Sequence, residues 1–93
     1  MVVGVMTWEL HLAACHSLKD KRHVLKSLKD RLHNQFNVSA AETAHHDLWQ
    51  RAEVTVCVVA ADRAHVDNVL RQADRLIERA DGARIVDTST SFF

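Results

Sequence analysis

Residues 2 to 12 alternate in character. Trp8, Leu10 and Leu12 fall on one face of the run, and Thr7, Glu9 and His11 fall on the other, as in a strand with one buried and one wetter face. The period then changes. Leu18, Val24, Leu25, Leu28, Leu32 and Phe36 recur at helical spacing, which predicts a helix from Leu18 to about Gln35 with a single apolar stripe. Ser17 stands at its N-cap, and Asp20 three places on makes a variant of the capping box. Val38 and Ala40 mark a short, weakly patterned strand within residues 37 to 44.

A polar connection, His45 to Gln50, leads into the clearest strand of the chain. There Val54, Val56 and Val58 face inward while Glu53, Thr55 and Cys57 take the opposite face. Asp62 is placed to cap a second helix whose apolar face is Val66, Val69, Leu70, Ala73, Leu76, Ile77 and Ala80. Asp81-Gly82 is expected to end it, glycine being suited to a left-handed C-terminal cap. Ile85 and Val86 mark a last strand that fades into Thr88-Ser89-Thr90-Ser91. The order β-α-β-β-α-β, two crossover units around a short hairpin, is the ferredoxin-like pattern. Right-handed crossovers then yield an α+β two-layer sandwich, an antiparallel sheet of order 4-1-3-2 with both helices on one face. No linker or low-complexity tract divides the chain, so residues 1–93 read as one ferredoxin-like domain.

Composition narrows the function classes. Twelve basic and twelve acidic side chains cancel, so no global field draws in nucleic acid or a membrane, and any such role must rest on a local patch. Cys15 and Cys57 match no metal spacing or redox pair, and both read as reduced thiols. The N-terminal run Met1 to Met6 has no basic segment or cleavage signal, and no apolar stretch approaches a membrane span. A cytoplasmic protein without membrane contact is expected.

The first helix carries a local patch. At 100° per residue, Lys19, Arg22, Lys26, Lys29 and His33 fall within one arc beside the apolar face, with Asp20 and Asp30 read as lying outside it. The stripe is roughly 21 Å long at the helical rise, a pitch at which cations can follow a phosphate backbone without reading sequence. On the second helix Asp67, Asp74 and Glu78 share one flank and Arg75 and Arg79 another. The open sheet face offers Thr7, Glu9, His11, Glu53, Thr55 and Cys57 from its central strands. It has no aromatic, so base stacking there, as in RNA-recognition domains of this architecture, is not expected. With Val3, Val5 and Val59 the same face suits coverage by a second copy.

Other polar groups carry less. Glu9, His11 and Glu53 are too few for a metal or catalytic centre. His45-His46-Asp47 reads as a polar turn, and His16 and His23 as solvated. Trp49 either closes the end of the core or anchors a partner, and closure is the expectation. No nucleophile–base pair, phosphate loop or closed metal set is found, so neither enzyme activity nor a cofactor is expected.

Several blocks resemble the YlxP-like family. They are Val2-Val3-Gly4-Val5, Glu9-Leu10-His11-Leu12, Ser17-Leu18-Lys19-Asp20-Lys21-Arg22 with Val24-Leu25-Lys26-Ser27-Leu28, Phe36-Asn37-Val38-Ser39 and Asp47-Leu48-Trp49-Gln50-Arg51-Ala52-Glu53. The Ala13-Ala14 step departs from the proline- or glycine-containing turn expected of that family. The resemblance implies a ferredoxin-like domain of unknown function. The family's bacterial genes often neighbour those for translation initiation and ribosome maturation, which points towards ribosomal RNA or ribosomal particles as partners. The leading expectation is a non-enzymatic accessory factor whose Lys19, Arg22, Lys26 and Lys29 bind phosphate, His33 extending the stripe when protonated. The alternative is a homodimer or protein-binding module using Val3, Val5, Thr7, Glu9, His11 and Cys57 on the open face, with Trp49 as a further anchor.

Overall fold

Alternation along the first ten-residue strand, β1 (Val2–His11), holds in the computed structural model, which describes residues 1–93. Trp8 and Leu10 point into the core with Leu12 just beyond the strand, while Thr7, Glu9 and His11 line the opposite face. The first helix, α1 (Leu18–Gln35), starts where the capping residues place it, with Asp20 N–H donating to Ser17 Oγ at 3.0 Å. Asp20 in turn accepts from the His16 backbone N–H, so the two side chains close the end of the helix reciprocally. β2 (Ser39–Ala44) and β3 (Arg51–Ala60) form the hairpin, and β3 buries Ala52, Val54, Val56 and Val58. The second helix, α2 (Arg63–Glu78), is capped by Asp62 and buries Val66, Leu70, Ala73, Leu76 and Ile77. β4 (Arg84–Phe92) completes the chain.

All four strands form one antiparallel sheet of order β2-β3-β1-β4, the expected 4-1-3-2 arrangement read from its other edge. Both helices pack on the face that carries Trp8, Leu10, Val54 and Val56, and these residues join the helix faces in a single apolar core. The other sheet face is uncovered.

Three close fits hold α2 to the sheet. Trp8 is fully buried, and its indole Nε1–H donates to Asp74 Oδ1 at 2.8 Å, satisfying the one polar atom of that ring. Gly4 lets α2 descend onto β1: a Cβ there would overlap Val66 Cγ1 and come within 2.9 Å of Leu70 Cδ1. Phe92 meets the same spot from β4, and the Arg63 guanidinium sits 4.1 Å over its ring, a cation–π contact between α2 and the last strand.

Two boundaries differ from the periodicity. β4 does not fade at Thr88-Ser89-Thr90-Ser91 but runs to Phe92, with Ser89 opposite Thr7 and Ser91 opposite Val5. Pairing to β1 satisfies the backbone of this polar segment whatever its side chains. The α2 helix ends at Glu78, three residues before Asp81, and Gly82 adopts its left-handed φ of 82° in the turn that follows. Because the site at Gly4 has no slack, Gly4→Ala is expected to destabilise the fold by about 1–3 kcal/mol. Urea denaturation measures this; an unchanged midpoint would show that α2 can lift off β1 without loss.

Candidate functional site

A lysine occupies a core position of α1. Leu18, Lys21, Leu25, Leu28 and Leu32 share the inward face, and Lys21 is only 2% exposed. Its ammonium donates to the backbone carbonyls of His45 at 2.6 Å and Leu48 at 2.8 Å, and lies 2.6 Å from Glu42 Oε2. Two of the three ammonium donors are thus hydrogen-bonded to carbonyls. The Glu42 contact is off the hydrogen-bonding direction, so it is an ion pair, and Oε2 has no other polar partner. One buried charge thus ties α1 to edge strand β2 and to the β2–β3 loop.

This tie builds a groove. Between α1 and β2 lies a hollow of about 430 Å³ lined by Arg22, Lys26, Lys29 and His46 around Lys21 and Glu42. Its single carboxylate is already neutralised by Lys21. Three of the five expected stripe residues therefore line one groove; Lys19 and His33 are exposed on the same helix but do not line it. Asp30 corrects the expected arc. It lies one turn beyond Lys26 and pairs with it at 2.8 Å, both side chains being well exposed. The Asp30 hydrogen bond and charge raise the Lys26 ammonium above its ordinary value, and Lys26 holds the Asp30 carboxyl below its own. Arg22 and Lys29 make no ion pair.

The β2–β3 loop is the second component. His45 stands in the left-handed region at φ 62°, where a non-glycine residue is strained. It is held there from both ends, its carbonyl by Lys21 and its Nε2 by the Glu9 carboxylate at 3.0 and 3.1 Å. Farther along, the Gln50 amide donates to the carbonyls of Ala13 and Cys15, and the Leu12 N–H donates to Gln50 O. Stapled in this way, the loop leaves its large side chains outside. Trp49 is 52% exposed and Leu48 45% exposed, so Trp49 does not close the core as expected. Trp8, Leu12 and Cys15 are already buried there, and the loop backbone is spent on Lys21 and Leu12. Trp49 and Leu48 instead form one wall of a shallow hollow of about 680 Å³ with His11, His16, Asp47, Gln50 and Arg51. His16 lies exposed at the edge of this hollow and its side chain makes no hydrogen bond.

The uncovered sheet face presents small side chains. Val5, Thr7, Thr55 and Cys57 sit at its centre, with Val3 and Val59 towards one end. Hydroxyls bridge it: Thr7 and Thr55 lie 3.0 Å apart, Thr43 and Thr55 2.8 Å, and Thr43 donates to Glu53 at 2.6 Å. Thr43 reaches this position through a bulge in β2. At the charged end, Glu9 is shared by His45 and by Arg51 at 3.4 Å. Burial pushes Glu9 up, but the hydrogen bonds and charges of His45 and Arg51 outweigh it and hold the carboxyl below its ordinary value. Glu9 and Glu53 thus have partners on neighbouring strands and the loop, while His11 turns towards the hollow beside Trp49.

Sequence reasoning missed Lys21, His46 and the Trp8–Asp74 bond. Lys21 could have been found, because it falls on the inward arc with Leu18, Leu25 and Leu28.

Residues 3–90 match the DUF503 family, a protein of unknown function. The chain is 30% identical over 92 residues to the uncharacterized protein YlxP of Bacillus subtilis (strain 168), covering 99% of this chain and 100% of that one. Among solved structures it resembles the de novo designed protein Foldit4, with a TM-score of 0.59 at 14% identity and coverage of 100% and 97% of the two chains. It also resembles LFR1 1, a de novo designed protein with a ferredoxin fold, with a TM-score of 0.55 at 12% identity and coverage of 100% and 83%. At such identities these two likenesses speak for the ferredoxin fold alone.

Removing one partner of a buried ion pair leaves the other charge stranded, so Lys21→Met is expected to cost about 3–5 kcal/mol in urea denaturation. Lys21→Met with Glu42→Leu should recover a substantial part of that loss; failure to do so would mean that the loop carbonyls matter more than the charge pair. For Glu9 the folded value lies below the ordinary 4.5, so its contribution is complete above that pH and is lost as pH falls through the folded value. Glu9→Gln should be the less stable protein at pH 6, by no more than about 1 kcal/mol, and the gap should close as pH falls through the folded value of Glu9.

Proposed function

This chain belongs to the DUF503 family, and from that premise we propose that it is a non-enzymatic accessory factor that binds RNA phosphates, with ribosomal RNA or ribosomal particles as the partner. The observation that carries the reading is the α1–β2 groove, where Arg22, Lys26, Lys29 and His46 surround a carboxylate that Lys21 has already neutralised. On this net-neutral protein many of the anions are engaged elsewhere in the fold. Glu9 binds His45 and Arg51, Asp20 and Asp62 cap helices, Asp74 holds Trp8, and Asp67 pairs with Arg71. Arg22 and Lys29 keep their charge for an external anion. Lys19 and His33 extend the surface along the helix, and contacts of this type supply affinity without sequence readout.

A second reading rests on the uncovered face around Val5, Thr7 and Cys57, where small side chains leave a flat surface that a second sheet of the same kind could cover. Light scattering distinguishes the two. A dimer that resists salt and is broken by Val5→Lys supports the module, whereas a monomer supports the RNA reading.

The charges themselves are tested by Arg22→Gln with Lys29→Gln, which avoids placing a carboxylate against Asp30. Filter binding to ribosomal RNA across a salt series should show affinity at least about tenfold weaker and a log–log salt slope smaller by about 1.4. Cosedimentation with ribosomal particles should fall in parallel. Undiminished binding at physiological salt would overturn the reading.

A further inference from the structure

We infer that the hollow beside Trp49 is a stacking site for an unpaired base, so that the ligand is single-stranded RNA lying across the β2–β3 loop; the inference rests on the phosphate-binding reading above. A tryptophan 52% exposed in a loop is ordinarily mobile, but here the loop is fixed on both sides of it. Lys21 holds the Leu48 carbonyl, Gln50 holds Ala13 and Cys15, and Leu12 holds Gln50. The backbone on either side of the indole is thus fixed, so only the ring's own rotation remains to be ordered when its solvated face is covered.

The surroundings select the class of ligand. Of the seven residues lining the hollow only Leu48 and Trp49 are hydrophobic, yet apolar atoms make up most of its surface, as the stacking of a base requires. The rest include His11, His16 and Gln50 as hydrogen-bonding groups, with Asp47 and with Arg51, which Glu9 holds at 3.4 Å. An aromatic plane ringed by hydrogen-bonding groups matches a base. The volume of about 680 Å³ falls within the roughly 300–1,000 Å³ of small-ligand sites.

Position relates the hollow to the cationic groove. His46 lines the groove beside α1, and its neighbour Asp47 lines the hollow. The loop is the common wall. A strand whose phosphates follow Arg22 and Lys29 reaches Trp49 by crossing that wall. A base inside a duplex is stacked on both sides and cannot offer its face, whereas an unpaired one can.

The test uses a fluorescently labelled ten-nucleotide oligoadenylate and a blunt RNA duplex of the same length, with binding read by anisotropy. Trp49→Ala should weaken oligoadenylate binding about tenfold or more, the loss of one base stack, with the salt slope unchanged. Trp49→Phe should retain most of the affinity. Duplex binding should be the same in all three proteins. Unlabelled oligoadenylate should also quench tryptophan emission in the wild type saturably, because Trp8 is fully buried and only Trp49 is accessible. If Trp49→Ala binds oligoadenylate like the wild type while Arg22→Gln with Lys29→Gln does not, the stacking site is refuted and the phosphate reading stands. If the wild type binds neither RNA, both fall. Disruption of a wild-type dimer by Trp49→Ala, without quenching by RNA, would assign the hollow to a protein contact and overturn the inference.

Discussion

The Lys21 ammonium is the contact on which the arrangement of this protein's surface depends. A charge that is 2% exposed is tolerated only when it is paired and hydrogen-bonded; here the carbonyls of His45 and Leu48 accept from it and the carboxylate of Glu42 pairs with its charge. Satisfying that charge sets where the β2–β3 loop lies, draws the edge strand β2 against α1 and holds His45 in a strained backbone conformation. The groove on one side of the loop and the Trp49 hollow on the other are both consequences. A hydrophobic residue at position 21 would pack the helix but leave the two carbonyls without this partner.

Charge is distributed by a related economy. Helix caps, the Trp8 indole and the strand-to-loop contacts at Glu9 take up many of the carboxylates, because these neutral or cationic donors need acceptors. Arg22 and Lys29 remain outside any ion pair. Overall neutrality therefore conceals a polarised surface, and net charge alone is a poor guide to the partners of so small a domain. The exception, Lys26 with Asp30, is an exposed pair one helical turn apart, and such pairs contribute little and are readily exchanged for another anion.

The fold was legible because its determinants are local. The Val54, Val56 and Val58 alternation, the Ser17 and Asp62 caps and the inward arcs of both helices each depend on neighbours within a few residues, and all appear in the structure. Asp30 is equally local, since residues four apart on a helix meet, and it pairs with Lys26 although the expected stripe leaves it out. The pattern of β4 fades because Thr88 to Ser91 carry no apolar alternation, whereas their pairing with β1 is a matter of backbone.

The candidate site was legible only in part. Arg22, Lys26 and Lys29 lie on one helix, and their common face follows from the 100° step. Lys21 sits among the charged residues of the same segment, and its burial depends on carbonyls more than twenty residues away. Trp49 was expected to close the core, which its composition permits; what excludes it is that the core end is already filled and the loop backbone committed elsewhere. The sequence by itself determined the elements, their order and the faces they bury, since periodicity and capping act over one or two turns. Only the tertiary structure decided which cations stay free, which carboxylates are consumed and which tryptophan remains outside, because each depends on partners brought together by strand pairing across the whole chain.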